Sequence, residues 1–169
     1  MEGPTTTTKA GMDTSHLTHL RTAIALSRTA RERGNHPFGA ILVDADGTVV
    51  AEAENTVETD RDVTGHAETN LVRIAGAQWT PEELRSHTLY TSCEPCAMCS
   101  GAIFWSGIGR VVYALSVEGL LAFFANRPDA PLHRMGGRRL LTEKDGVEVM
   151  GPALEDEAAA EHNGFWSEG

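Results

Sequence analysis

The chain has 169 residues, 41% of them apolar and 22% charged, with a net charge of −10, which describes one ordinary globular domain. The acid excess disfavours nucleic-acid backbones and anionic membranes, whose affinity comes from Lys and Arg, and no run approaches the ~18 apolar residues of a membrane-spanning helix. All three cysteines fall between Cys93 and Cys99, an odd, clustered set that makes no disulfide framework and fits a reducing, cytoplasmic setting.

In chain order, residues 1–12 are Thr-rich with no apolar stretch, which predicts a disordered lead-in rather than a signal peptide. A single domain is expected from 13 to 169. The first helix is predicted from Asp13 to Arg33, capped by Thr14 or Ser15 and ended at Gly34. Its apolar stripe is Leu17, Leu20, Ala23 and Ile24. Ala40–Val43 and Thr48–Ala51 flank the turn signal Asp44-Ala45-Asp46-Gly47 and predict a β-hairpin. After the polar stretch Asn55–Thr64, a helix is expected from His66 to Ala75 and a short helix start at Pro81. A strand follows at Thr88–Thr91, a helix over Cys96–Trp105 ending at Gly107, and a strand over Arg110–Leu115. Val117–Asn126 reads as helical, Arg127–Arg139 as loop, Val147–Val149 as a strand and Pro152–Glu161 as a helix. A hairpin followed by alternating helices and strands gives an α/β sandwich, helices on both faces of a mixed sheet.

Charge is uneven. From Pro152 onward there are five acids and no Lys or Arg, so the rest of the chain carries −5. The acidic tail then turns aromatic at Phe165 and Trp166. Solvated rings gain nothing, so these are expected to bury, either over an active site or on the core of their own subunit. Weakly clustered basic residues, His133, Arg134, Arg138 and Arg139, surround Gly136-Gly137. They are read as a solvated loop, with an RNA-facing patch as the alternative.

The informative constellation is His66-Ala67-Glu68 followed by Pro95-Cys96-Ala97-Met98-Cys99. Zinc takes imidazole and thiolate ligands. Cys96 and Cys99, three apart on a helix, share one face, and His66 at the start of another helix supplies a third ligand. Helix N-termini favour thiolate over thiol. Three protein ligands leave the open position of a catalytic zinc. Glu68, two residues from His66, reaches water there without being a ligand and can shuttle protons. The alternative is a structural zinc in a non-catalytic interaction domain, with Cys93 as fourth ligand and Glu68 idle. The pattern H-x-E with P-C-x-x-C favours the catalytic arrangement.

Together with Pro37-Phe38-Gly39-Ala40, Asn55 and Ser92-Cys93-Glu94, these motifs resemble the cytidine-deaminase-like superfamily, and within it the guanine deaminase and tRNA adenosine deaminase branch. The resemblance runs over residues 14–116. It implies a three-layer α/β/α sandwich with a mixed five-stranded sheet, a zinc at two helix N-termini, and a homodimer or larger oligomer. It also implies hydrolytic deamination of a small nucleobase, guanine first. A tRNA adenosine deaminase, or a deaminase of adenine, cytosine or a nucleoside, is the alternative. Phe38, Asn55, Trp105 and Ala67 match positions that contact the base in that branch. Glu118 is the nearest candidate for an acid reading a purine's amino face, and Trp166 for a ring closing the site. The branch usually carries Ala where Gly65 stands before His66.

Overall fold

The computed structural model describes residues 11–166. The lead-in expected over 1–12 therefore lies mostly outside the described residues. Its last residue, Met12, departs from the expectation: it is fully buried in the core. Helix α1 spans Thr14–Glu32 and is capped one residue earlier than expected, by Asp13. The Asp13 carboxylate accepts the His16 amide at 3.1 Å, while Ser15 spends its hydroxyl on that same carboxylate. Gly34 follows the C-cap at φ 90°, as a helix-ending glycine should.

The hairpin is β1 (Gly39–Val43) and β2 (Val49–Glu54), paired antiparallel. Asp44 Oδ1 organises its turn by accepting the amides of Asp46 and Thr48. A short helix, α2 (Val57–Asp60), interrupts the polar stretch. It is followed by α3 (Ala67–Gly76) and α4 (Pro81–Leu84), where Thr80 and Glu83 form a reciprocal capping box. Then come β3 (Thr88–Cys93), α5 (Ala97–Ser106) and β4 (Arg110–Leu115). Gly107 ends α5 in the left-handed conformation, φ 88°.

The strand order is β2-β1-β3-β4-β5, with β5 at Glu148–Met150. β1 is antiparallel to both neighbours, whereas β3, β4 and β5 are parallel, as strands joined through helices must be. The register sends Leu42, Leu89 and Val111 to one face, where Leu71, Ala75 and Ile103 of α3 and α5 cover them. Ile41, Tyr90 and Val112 face the other side, under Leu20 and Ile24 of α1 and Ala158 of α8 (Glu155–Ala160). The expected three-layer α/β/α sandwich with a mixed five-stranded sheet is the observed one.

Departures concentrate after β4. The helix expected over Val117–Asn126 is α6 (Val117–Leu121), continued as a 3-10 turn at Ala122–Phe124. Within the expected loop lies a helical turn, α7 (Gly137–Leu140). The last helix starts at Glu155 rather than Pro152, because Leu154 sits in the left-handed region, φ 56°.

Candidate active site

Two helix starts build the site. His66 is the N-cap of α3 and Cys96 the N-cap of α5, both extended (ψ 153° and 177°) just before their helices begin. Helices α3 and α5 lie side by side on one face of the sheet through Leu71, Ala75 and Ile103, so both positive ends meet at the end of β3. There His66 Nδ1 lies 3.6 Å from Cys96 Sγ and 3.5 Å from Cys99 Sγ. Zinc bonds of about 2.3 Å to sulfur and 2.05 Å to nitrogen, held tetrahedrally, require an S···N edge of about 3.6 Å. The three donors therefore fit zinc in both chemistry and spacing, and they form a group within 4.8 Å of one another. Cys93 is not one of that group; it is buried at the end of β3, and burial pushes its thiol well up. The four-ligand structural alternative thus lacks its fourth ligand among the described residues.

The two ligand thiols are unequal. The hydrogen bond from Cys99 holds Cys96 down to about 4, and His66 adds to it. Cys99 is pushed up by the same bond and by burial. Cys96, paired with His66, raises the imidazole in turn.

Glu68 is 4% exposed, in the first turn of α3. Its Oε1 accepts the Thr91 hydroxyl at 2.8 Å, and its Oε2 faces Cys99 Sγ at 3.5 Å. Burial raises its carboxyl, with the nearby Cys96 charge adding to the effect. A carboxyl with raised affinity for a proton, beside an open metal position, can take up a proton and return it.

A cavity of about 540 Å³ opens above these groups. Phe38 and Trp166 line it together with His66, Glu68 and Cys96. Ala67 is buried between His66 and Glu68 at the first turn of α3. Asn55 is buried, its Oδ1 accepting the Val57 amide, and it is not among the lining residues. Trp105 and Glu118 do not reach this cavity within one chain. Trp105 is 81% exposed and borders a separate hollow with Arg85 and Lys144. It stands two residues past buried Ile103, about 200° around α5, and so points outward. Glu118 likewise turns to the surface, next to buried Val117, in a hollow shared with Arg138.

Sequence reasoning missed two groups. Thr91, in a strand buried along its whole length, is the hydroxyl that holds Glu68. Glu94, between Cys93 and Pro95, is 9% exposed and lines the cavity. Neither role has a local signal: β3 is a mixed strand with hydroxyls at Thr88, Thr91 and Ser92, and Glu94 lies one residue past its end.

The tail both docks on its own chain and lines the cavity. Trp166 Nε1 donates to His162 Nδ1 at 3.0 Å, and Arg127 donates to the Trp166 carbonyl at 3.0 Å. Arg31 donates to the carbonyls of Glu161 and Asn163 and lies over the Phe165 ring. One residue of the expected basic patch is likewise engaged: Arg138 donates to Tyr113 Oη and to the Gly151 carbonyl, while Arg134 and Arg139 are exposed.

Residues 13–115 match the cytidine and deoxycytidylate deaminase zinc-binding region. A protein of Schizosaccharomyces pombe named probable cytosine deaminase is 47% identical over 154 residues, covering 90% of this chain and 93% of that one. Guanine deaminase of Bacillus subtilis is 43% identical over 101 residues, 59% of this chain and 64% of its own. Among solved structures, guanine deaminase from Nitrosomonas europaea superposes with a TM-score of 0.72 at 25% identity, over 94% of this chain and 87% of that one.

Proposed function

The chain belongs to the zinc-dependent hydrolytic deaminases of the cytidine and deoxycytidylate deaminase family, and from that membership we propose that its substrate is a free nucleobase, guanine or cytosine. The observation that carries this reading is the pairing of buried Glu68 with a three-donor group at the floor of a mainly apolar cavity.

His66, Cys96 and Cys99 would hold the zinc. When bound, it supplies Lewis acidity toward water. Water adds to the amino-bearing ring carbon, the C–N bond breaks, and ammonia leaves as the C=O forms. Glu68 accepts one proton from water and delivers it to the ring nitrogen, then takes the second proton from the added hydroxyl and delivers it to the departing amine. Thr91 fixes Oε1, so Oε2 does the carrying. The Ala67 amide, one of the first-turn N–H groups that no intrahelical carbonyl takes, is offered to a ring carbonyl. Phe38 and Trp166 present flat faces to the ring.

A free base is favoured over RNA by the charge of −10, which repels a polyanion. Cytosine is supported by the relative that aligns over nearly the whole chain, and guanine by the Bacillus relative and the Nitrosomonas structure. A homodimer is part of the proposal: Phe104 and Trp105 of α5 and Ile74 of α3 are exposed apolar groups of the kind that subunit interfaces cover. The test is ammonia release by zinc-loaded protein from a panel of free bases, nucleosides and an RNA stem-loop. Release from cytosine or guanine alone is the expected result; release only from the RNA would overturn it.

A further inference from the structure

The outer wall of the cavity has few attachments. It is formed by Arg127, Ala130, Pro131, Leu132 and His133. Among the described residues, the backbone bonds of this stretch are local turns, such as Ala130 to Arg127 and Leu132 to Ala130. At its start, Arg127 is tied to the Trp166 carbonyl. At its end, the Glu94 carboxylate accepts the Arg138 amide at 3.2 Å through Oε2 and the Val117 amide at 3.1 Å through Oε1. One buried carboxylate, directly before the Pro95-Cys96 corner, thus fastens the wall and the start of α6 to the loop that delivers a zinc ligand.

The glycines belong to this joint. Gly136 has φ −81°, a conformation open to any residue, so space rather than backbone freedom calls for glycine. A Cβ there would lie 1.8 Å from Glu94 Oε2, and one at Gly137 would lie 3.1 Å from Ser100 Oγ and 3.2 Å from the Pro95 carbonyl. Gly136-Gly137 lets the chain pass close enough for a carboxylate to reach the Arg138 amide. Hydrogen bonds to a charged acceptor are the stronger kind, and two on one buried group leave little room for an alternative wall position.

We propose that Glu94 is a positioning residue for deamination: with Gly136 it clamps segment 127–138 as the wall that fits the base, without taking part in proton transfer. This rests on the free-base reading above. The clamp acts on ring fit, so it governs KM while the metal group and Glu68 govern kcat.

The experiment compares wild type, Glu94→Gln, Gly136→Ala and the double variant, each with zinc content measured. The Gln amide replaces one acceptor by a donor facing a backbone N–H. KM should rise about tenfold in each single variant, the size of one lost charge-assisted bond. kcat per zinc should stay within about twofold. The double variant should show far less than the product of the two effects, since both break one joint. Trypsin cleavage after Arg134 should quicken about tenfold in the single variants, because the wall opens locally. An unchanged KM, or a fall in kcat and zinc content together, would overturn the proposal. Amide exchange in the wild type covers the case of a variant that does not fold: Arg138 should exchange far more slowly than Ala130, and equal rates would overturn the clamp. If the wild type releases no ammonia from any base, the free-base reading fails, while the trypsin and exchange results still decide the clamp.

Discussion

Residues 39–115 and residues 117–166 meet at one cavity but are held in different ways. In the first region, four strands pair through backbone ladders, and α3 and α5 bury their inner faces on them. In the second, beyond the short β4–β5 ladder and buried Ala158, side chains bonded to distant backbone join the segments: Glu94 to Val117 and Arg138, Arg138 to Gly151, Arg127 to Trp166, and Arg31 to Glu161 and Asn163. The zinc donors and Glu68 stand on the first region, where many bonds fix each backbone position. The wall and tail that line the cavity stand on the second, where one changed side chain would move a surface without disturbing the sheet. On the proposed function, chemistry and ring choice would be separable in this fold.

The separation can be broken from the chemical side first. His66→Ala should abolish stoichiometric zinc binding and with it turnover, while the sheet persists; metal analysis beside far-UV circular dichroism checks both. A variant that keeps one zinc per chain would show that the donors are not the three assigned.

The second-largest effect belongs to the tail and depends on pH. His162 is 1% exposed, and burial, followed by the charge of Arg31, lowers its pKa to about 4. An unfolded histidine takes its proton near 6.5. The unfolded state therefore binds more protons in the window between these values, so stability should fall as pH drops from about 6.5 to about 4 and level off below. The limit is about 3 kcal/mol. His162→Phe should flatten that part of the curve in urea titrations run at several pH values; an unchanged slope would assign it elsewhere.

In the rigid region, Gly39→Ala would place a Cβ 2.5 Å from the Ala23 carbonyl and 2.7 Å from the Ser27 amide. Neither backbone atom can move without shifting α1. A loss of about 1–3 kcal/mol is expected, read by urea denaturation, with kcat per folded chain unchanged. Lost activity without lost stability would mean that the frame and the site are not separate.

Truncation from Gly164 sharpens the comparison at the smaller end. Phe165 and Trp166 are half-buried, and Trp166 lines the cavity. Turnover at low substrate should fall about tenfold through lost ring contact, with a melting temperature lower by only a few degrees. A large thermal shift with full activity in the folded fraction would make the tail a strut alone.

The same division governs what the sequence disclosed. β4 is observed at the expected Arg110–Leu115, and α5 within one residue at each end, because apolar periodicity and a terminal glycine are local signals. The zinc donors were legible from spacing, since helical geometry fixes how Cys96 and Cys99 relate. Trp105 and Glu118 have residue types that suit a base, but within one chain their side of the helix faces away from the cavity. Glu94 was illegible because its partner amide at Arg138 lies 44 residues on, and the purpose of Gly136 appears only once those two are brought together. The expected cap of α1 slipped by one because Asp13 outcompetes Ser15 as an acceptor.

The central claim is that Glu68 moves the protons of a zinc-dependent base deamination. The direct measurement is ammonia release per zinc from cytosine and guanine by Glu68→Gln beside the wild type. The glutamine keeps the shape and cannot accept the proton. The account predicts equal zinc content and a rate lower by at least ~10²–10⁴. A variant with full zinc and wild-type turnover would contradict it.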